Sequence, residues 1–148
     1  MGDALTEAMA AAARGEVPVG AVLVNASGSV ICKAGNSVLA RNDPTAHAEM
    51  EVIRKGCQIL GSSRLVDCDL YVTLEPCPMC AQAISFARVR RLYYGASDSK
   101  GGGVEHGPTI FGQPGCNHSP HVFGGIDEVH SAALLKSFFL ERRGYLSR

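Results

Sequence analysis

The sequence lacks an excess of charge of either sign: fourteen Lys and Arg stand against fourteen Asp and Glu, for a formal net charge of zero. That argues against a protein that coats nucleic acid through bulk electrostatics and leaves open only a local basic patch. Nowhere does it run to the roughly 18 consecutive apolar residues of a membrane span, and its start has no charged, apolar and cleavage-site sequence of a secretion signal. A cytoplasmic protein with no membrane partner is expected. Internal repeats and linkers are missing as well. A composition 46% hydrophobic, with 17 Gly and 7 Pro, has neither the bias of a disordered chain nor the period of a fibrous one. At 148 residues, one domain spanning 1–148 with its own core is expected.

Six cysteines are present: Cys32, Cys57, Cys68, Cys77, Cys80 and Cys116. A chain with no export signal and a core of its own does not need crosslinks, so reduced thiols are expected. Cys32, Cys57 and Cys68 lie in apolar-patterned segments and read as small core residues. Cys77 and Cys80 have a spacing that asks for chemistry.

Periodicity divides the chain into alternating elements. Residues 3–14 are Ala-rich, with Leu5 and Met9 at helical spacing, and Gly15 stops the pattern. Val17 to Val24 and Ser29 to Lys33 are β runs joined by the turn 25–28, a hairpin. After a polar stretch, 36–44, residues 45–60 form a helix beginning near His47. Asp69 to Leu74 reads as a strand that Pro76 breaks, and 79–87 as a helix. Arg91 to Gly95 is a further short strand, 96–120 is irregular, Val122 and Phe123 add a last strand, and 126–143 closes as a helix. A loop as long as 96–120 in a compact domain is usually functional or mobile. Strands alternating with helices predict an α/β layered fold, with a mixed sheet because the opening hairpin is antiparallel.

Two segments, His47-Ala48-Glu49 and Pro76-Cys77-Pro78-Met79-Cys80, fall where the chain turns into a helix N-terminus. The unsatisfied N–H groups and dipole there create positive potential, which favours thiolates. Cys-x-x-Cys lets two sulfurs on one helical turn reach one ion, and a single His completes three protein ligands. That count leaves an open fourth position, the pattern of a catalytic Zn²⁺. A structural zinc needs a fourth ligand, and Cys57, Cys68, Cys116 and His118 show no matching spacing. Alone, the CxxC is also the pattern of a thioredoxin-type redox pair, and His47 alone is that of a structural histidine. Redox chemistry has no use for a carboxylate two residues from a histidine, so the joint occurrence favours metal. Glu49, free of ligation, is then placed to take a proton from water and return it to a ring nitrogen and a leaving amine. Its other reading is a first-turn residue stabilising the helix dipole.

HxE followed by PCxxC resembles the zinc-dependent cytidine and deoxycytidylate deaminase superfamily. More closely, VPVGAVLV at 17–24, NDPTAHAE at 42–49, LYVTLEPCPMC at 70–80 and RRLYYGASDSKGG at 90–102 resemble the bacterial tRNA-specific adenosine deaminases. QPGCNH at 113–118 and AALLKSFFLERR at 132–143 extend the likeness. It implies a three-layer α/β/α sandwich around a central mixed five-stranded sheet, of the cytidine deaminase-like kind. It also implies one Zn²⁺ per chain on His47, Cys77 and Cys80, no other cofactor, and a homodimer. The implied reaction converts adenosine to inosine at the wobble position of a tRNA anticodon stem-loop, through a zinc-activated hydroxide with Glu49 as proton shuttle. By carry-over, Asn36 hydrogen-bonds the purine, its other reading being a turn residue. Asp98 and Lys100 match an Asp-x-Lys that meets the anticodon loop, a solvated loop charge being the other reading of Lys100. Arg88, Arg90 and Arg91 read as surface or dimer-interface charges, and Phe138 and Phe139 mostly as core. The Pro between Cys77 and Met79 is shared with deaminases of free bases, so deamination of guanine, cytosine or cytidine stays open as the alternative.

Overall fold

A computed structural model describes residues 1–146 and has the elements α1 (Gly2–Ala13), β1 (Gly20–Val24), β2 (Val30–Gly35), α2 (Val38–Arg41), α3 (Ala48–Leu60), β3 (Asp69–Leu74), α4 (Pro78–Phe86), β4 (Arg91–Ala96), β5 (His121–Phe123) and α5 (Glu128–Leu146). The five strands form one sheet in the order β2-β1-β3-β4-β5. β1 is antiparallel to both β2 and β3, whereas β3, β4 and β5 run parallel. The sheet is therefore mixed, as expected, with α1 and α5 on one face and α3 and α4 on the other. The three layers are those of the α/β/α sandwich.

The period-2 alternation of the strands decides what each face buries. Ala21, Leu23, Leu70, Val72, Leu92 and Tyr94 point to the α3/α4 side and join Val52, Ile84 and Leu65 in the main core. Val22 and Val24 point the other way, onto Ala4 of α1. Helix α1 lies almost flush on the sheet because the touching residues are small. Ala4, Ala8 and Ala11 are fully buried, and a Cβ on Gly20 would come within 2.0 Å of the Ala4 carbonyl oxygen. The alanine content of this helix is a packing requirement. On the same face, Gly95 of β4 admits Ser131 of α5, whose Oγ a Cβ there would meet at 2.4 Å. Tyr71, Tyr93 and Phe123, in register across β3, β4 and β5, stack with centroids 4.5 and 4.9 Å apart.

Three differences from the sequence reading have local causes. Strand β1 starts at Gly20, three residues after Val17, because Val19 N–H turns back to the Val17 carbonyl (2.8 Å) and Pro18 has no N–H to give to a ladder. The polar stretch 36–44 holds a short helix, α2, whose first amides are taken by Glu16. Within 96–120 there is one 3₁₀ turn, Ile110–Gly112. All six cysteines are free; Cys68 is buried, and Cys32 and Cys57 pack half-buried against the core. Phe138 is buried, while its neighbour Phe139 is exposed. Arg90 makes a two-pronged ion pair with Asp69 (2.9 and 2.8 Å), and Arg88 donates to the Asn117 carbonyl. Among the described residues, no helix is long and apolar enough to cross a membrane.

Candidate metal centre and active site

The turns entering α3 and α4 meet at the carboxyl end of β3, beside the antiparallel neighbour β1, where open α/β sheets place their crevices. His47 is the N-cap residue of α3 and Cys77 that of α4, both with extended backbone (ψ 154° and 170°). The first turn is prepared by Asp43, which accepts from the Thr45 N–H and hydroxyl, and the second by Pro78 at the first helical position. His47 Nδ1 lies 3.6 Å from Cys77 Sγ and 3.5 Å from Cys80 Sγ. Zn–S near 2.3 Å and Zn–N near 2.05 Å at a tetrahedral angle require an S···N separation of about 3.6 Å. Both N···S separations therefore match a zinc ion, and the three donor atoms lie within 4.8 Å of one another. No other such group of ligand atoms is gathered among the described residues.

Glu49, in the first turn of α3, is 3% exposed. Burial pushes its carboxyl up to about 7, so it exchanges protons near neutrality. The Cys77 thiol is brought down to about 4 by its hydrogen bond with Cys80 and then by His47, against its own burial. Cys80 is pushed up by the same hydrogen bond and by burial, and His47 is raised by its hydrogen bond to Cys77. One thiolate beside one histidine is the donor chemistry that a divalent cation takes.

His47, Glu49 and Cys77 line a pocket of about 450 Å³ together with Asn36, Asp98 and Arg142. Asn36, at the end of β2, is buried, and its Oδ1 accepts from the Ala48 N–H at 2.8 Å, capping α3. The amide oxygen is thus engaged by the protein, and among the described residues no protein group pairs with the NH₂. Asp98 accepts from the N–H groups of Lys100 (3.1 Å) and Gly101 (2.8 Å), which folds the loop back on itself. Lys100 is exposed and lies outside the residues lining the pocket.

Two further carboxylates shape this pocket, and the sequence reading missed both. Glu16 is buried and its Oε1 accepts from the Leu39 and Ala40 N–H groups (2.8 and 2.9 Å), fixing α2 on one side. Glu75 is 2% exposed and gathers the segment after β4 on the other. Burial acts to raise the Glu75 pKa, but hydrogen bonds from the His106 ring and from the Asp98, His106 and Glu105 amides outweigh it and hold the group below its ordinary value. The signal for Glu75 was its place in LEPC, two residues before a ligand.

Residues 1–96 match the cytidine and deoxycytidylate deaminase zinc-binding region. The tRNA-specific adenosine deaminase of Agrobacterium fabrum is 59% identical over 140 residues, 95% of this chain and 91% of its own length. The chain belongs to the tRNA-specific adenosine deaminases of that family. A solved structure from a study of A-to-I editing by tRNA:A34 deaminases at the wobble position superposes with a TM-score of 0.87 at 59% identity, covering 89% of this chain and 95% of that one. A guanine deaminase from Bacillus subtilis is 45% identical, with a TM-score of 0.61 over 65% of this chain and 61% of its own. In this deaminase the matched zinc-binding region contains all the donors and Glu49. Asp98, Lys100 and α5 lie beyond it, within the stretch shared with the tRNA enzymes.

Proposed function

We propose that this chain hydrolyses adenosine to inosine at the wobble position of a tRNA anticodon, with one zinc per chain held by His47, Cys77 and Cys80. The observation that carries the chemistry is the donor triad at zinc spacing with the buried Glu49 carboxyl at the same pocket. The relatives at 59% identity supply the substrate. Bound zinc supplies a Lewis acid at which water becomes nucleophilic near neutral pH. With the metal in place, the Glu49 carboxylate would take one proton from the attacking water and hand it to the ring nitrogen, then take the second proton from the oxygen now bonded to C6 and hand it to the amino group, which leaves as ammonia as the C6=O bond forms. The Asn36 NH₂ donates to the purine and sets its angle to Glu49, and Asp98 and Lys100 meet the anticodon loop. The base must leave its stack to reach this depth. A homodimer in the cytoplasm completes the reading; the exposed Ile59, Leu60 and Phe86 of α3 and α4 are apolar surface that a second chain would cover.

The Bacillus subtilis guanine deaminase favours a second reading, a free purine as substrate. Purified enzyme incubated with an anticodon stem-loop carrying a wobble adenosine, and separately with guanine, cytosine and cytidine, separates the two. Inosine in the stem-loop is expected. Turnover confined to free compounds removes the tRNA reading and leaves the zinc chemistry standing.

A further inference from the structure

Every hydrogen bond that Glu75 accepts comes from one segment. Its Oε1 takes the Asp98 N–H (3.1 Å) and the His106 ring (2.7 Å). Its Oε2 takes the consecutive N–H groups of Val104, Glu105 and His106 (3.3, 3.1 and 3.1 Å). Five donors thus converge on a side chain buried at the end of β3, two residues before Cys77. The segment they come from, 97–106, has no helix or strand of its own. It is drawn in so closely that a Cβ on Gly102 would lie 2.4 Å from Glu75 Oε2, and one on Gly103 2.5 Å from Pro78 N. Gly103 N–H also binds the Pro76 carbonyl at 2.8 Å. The turn that carries Cys77 and the segment that carries Asp98 and Gly101 to the pocket are therefore one hydrogen-bonded body with Glu75 at its centre.

We propose that Glu75 is a positioning residue whose carboxylate fixes 97–106 as the substrate-facing wall of the pocket, and so governs how tightly the extruded nucleoside is held. The inference rests on the deaminase reading above. The chemistry demands a carboxylate: only an acceptor on all sides serves five donors, and the amide of glutamine turns two N–H groups toward N–H groups. An unsatisfied buried amide costs enough to open the segment without unfolding the sheet.

The test is Glu75→Gln, with Gly102→Ala as a second variant that pushes a methyl against the same carboxylate. Zinc content, amide hydrogen exchange, and kcat and KM on the stem-loop are compared with the parent enzyme. Expected are unchanged zinc content and exchange within α4, exchange at 98 and 104–106 faster by about tenfold or more, and KM raised about tenfold or more with kcat little altered. A merely structural role lowers the melting temperature and leaves KM of the folded enzyme where it was; that result, or unchanged exchange at 98 and 104–106, overturns the proposal. If Glu75→Gln does not fold, Gly102→Ala decides by the same readouts. Should the parent enzyme act only on a free base, the tRNA reading fails, and exchange together with KM for that base still judges Glu75.

Discussion

Asn36 shows how a single side chain divides its work. Its oxygen caps α3 through the Ala48 N–H, and the residue lines the pocket. Asn36→Asp keeps the acceptor, adds negative charge at a helix N-terminus and removes the donor. It is expected to melt near the parent while kcat/KM on the stem-loop falls about ten- to a hundredfold. Asn36→Ala loses both halves and about 1 kcal/mol of stability besides. Kinetics and thermal melts on the two variants separate the roles, and parent-like kinetics for Asn36→Asp would remove the residue from recognition. Glu49 does not depend on ligation for its place, since it is set by the first turn of α3. Glu49→Gln is therefore expected to retain zinc and lose about 10² to 10⁴ in kcat. Cys77→Ala is expected to lose the metal itself, as read by metal analysis.

At the scale of elements, the flush contact of α1 with the sheet has no slack. Gly20→Ala drives a methyl against the Ala4 carbonyl and the Ala8 amide. It is expected to cost about 1–3 kcal/mol by denaturant titration, and because the atoms it meets are backbone, Ala8→Gly is not expected to restore the loss. The strands and long helices were legible because hydrophobic period and stop residues are local signals. The donor set was legible for the same reason: HxE and CxxC are spacings within one turn of helix. Helix α2 was not, since its amides are held by Glu16, more than twenty residues away. The role of Glu75 was hidden likewise, because the donors that define it arrive from about thirty residues downstream. That the Asn36 oxygen caps α3 was hidden too, because the Ala48 N–H it accepts from lies twelve residues on.

For the whole molecule, the core does not depend on the metal. The main cluster runs from Val19 to Val104, includes none of His47, Cys77 and Cys80, and has far more apolar contact than a zinc finger. Chelation is expected to lower Tm by about 10 °C while the transition stays cooperative, which scanning calorimetry with and without chelator would read. Loss of all cooperative melting would mean that the ion holds the fold together.

Between α3 and β3 the chain runs through 61–68, exposed at 61–64 and at 66–67 and buried at Leu65 and Cys68. His47 and Glu49 lie before that stretch, Cys77 and Cys80 after it. A nick there parts the chain into two pieces, neither of which carries His47 and Glu49 together with Cys77 and Cys80. Their reunion is recorded by the return of the third donor, so metal uptake becomes a gauge of fragment complementation, and the enzyme a natural candidate for being split and reassembled on demand.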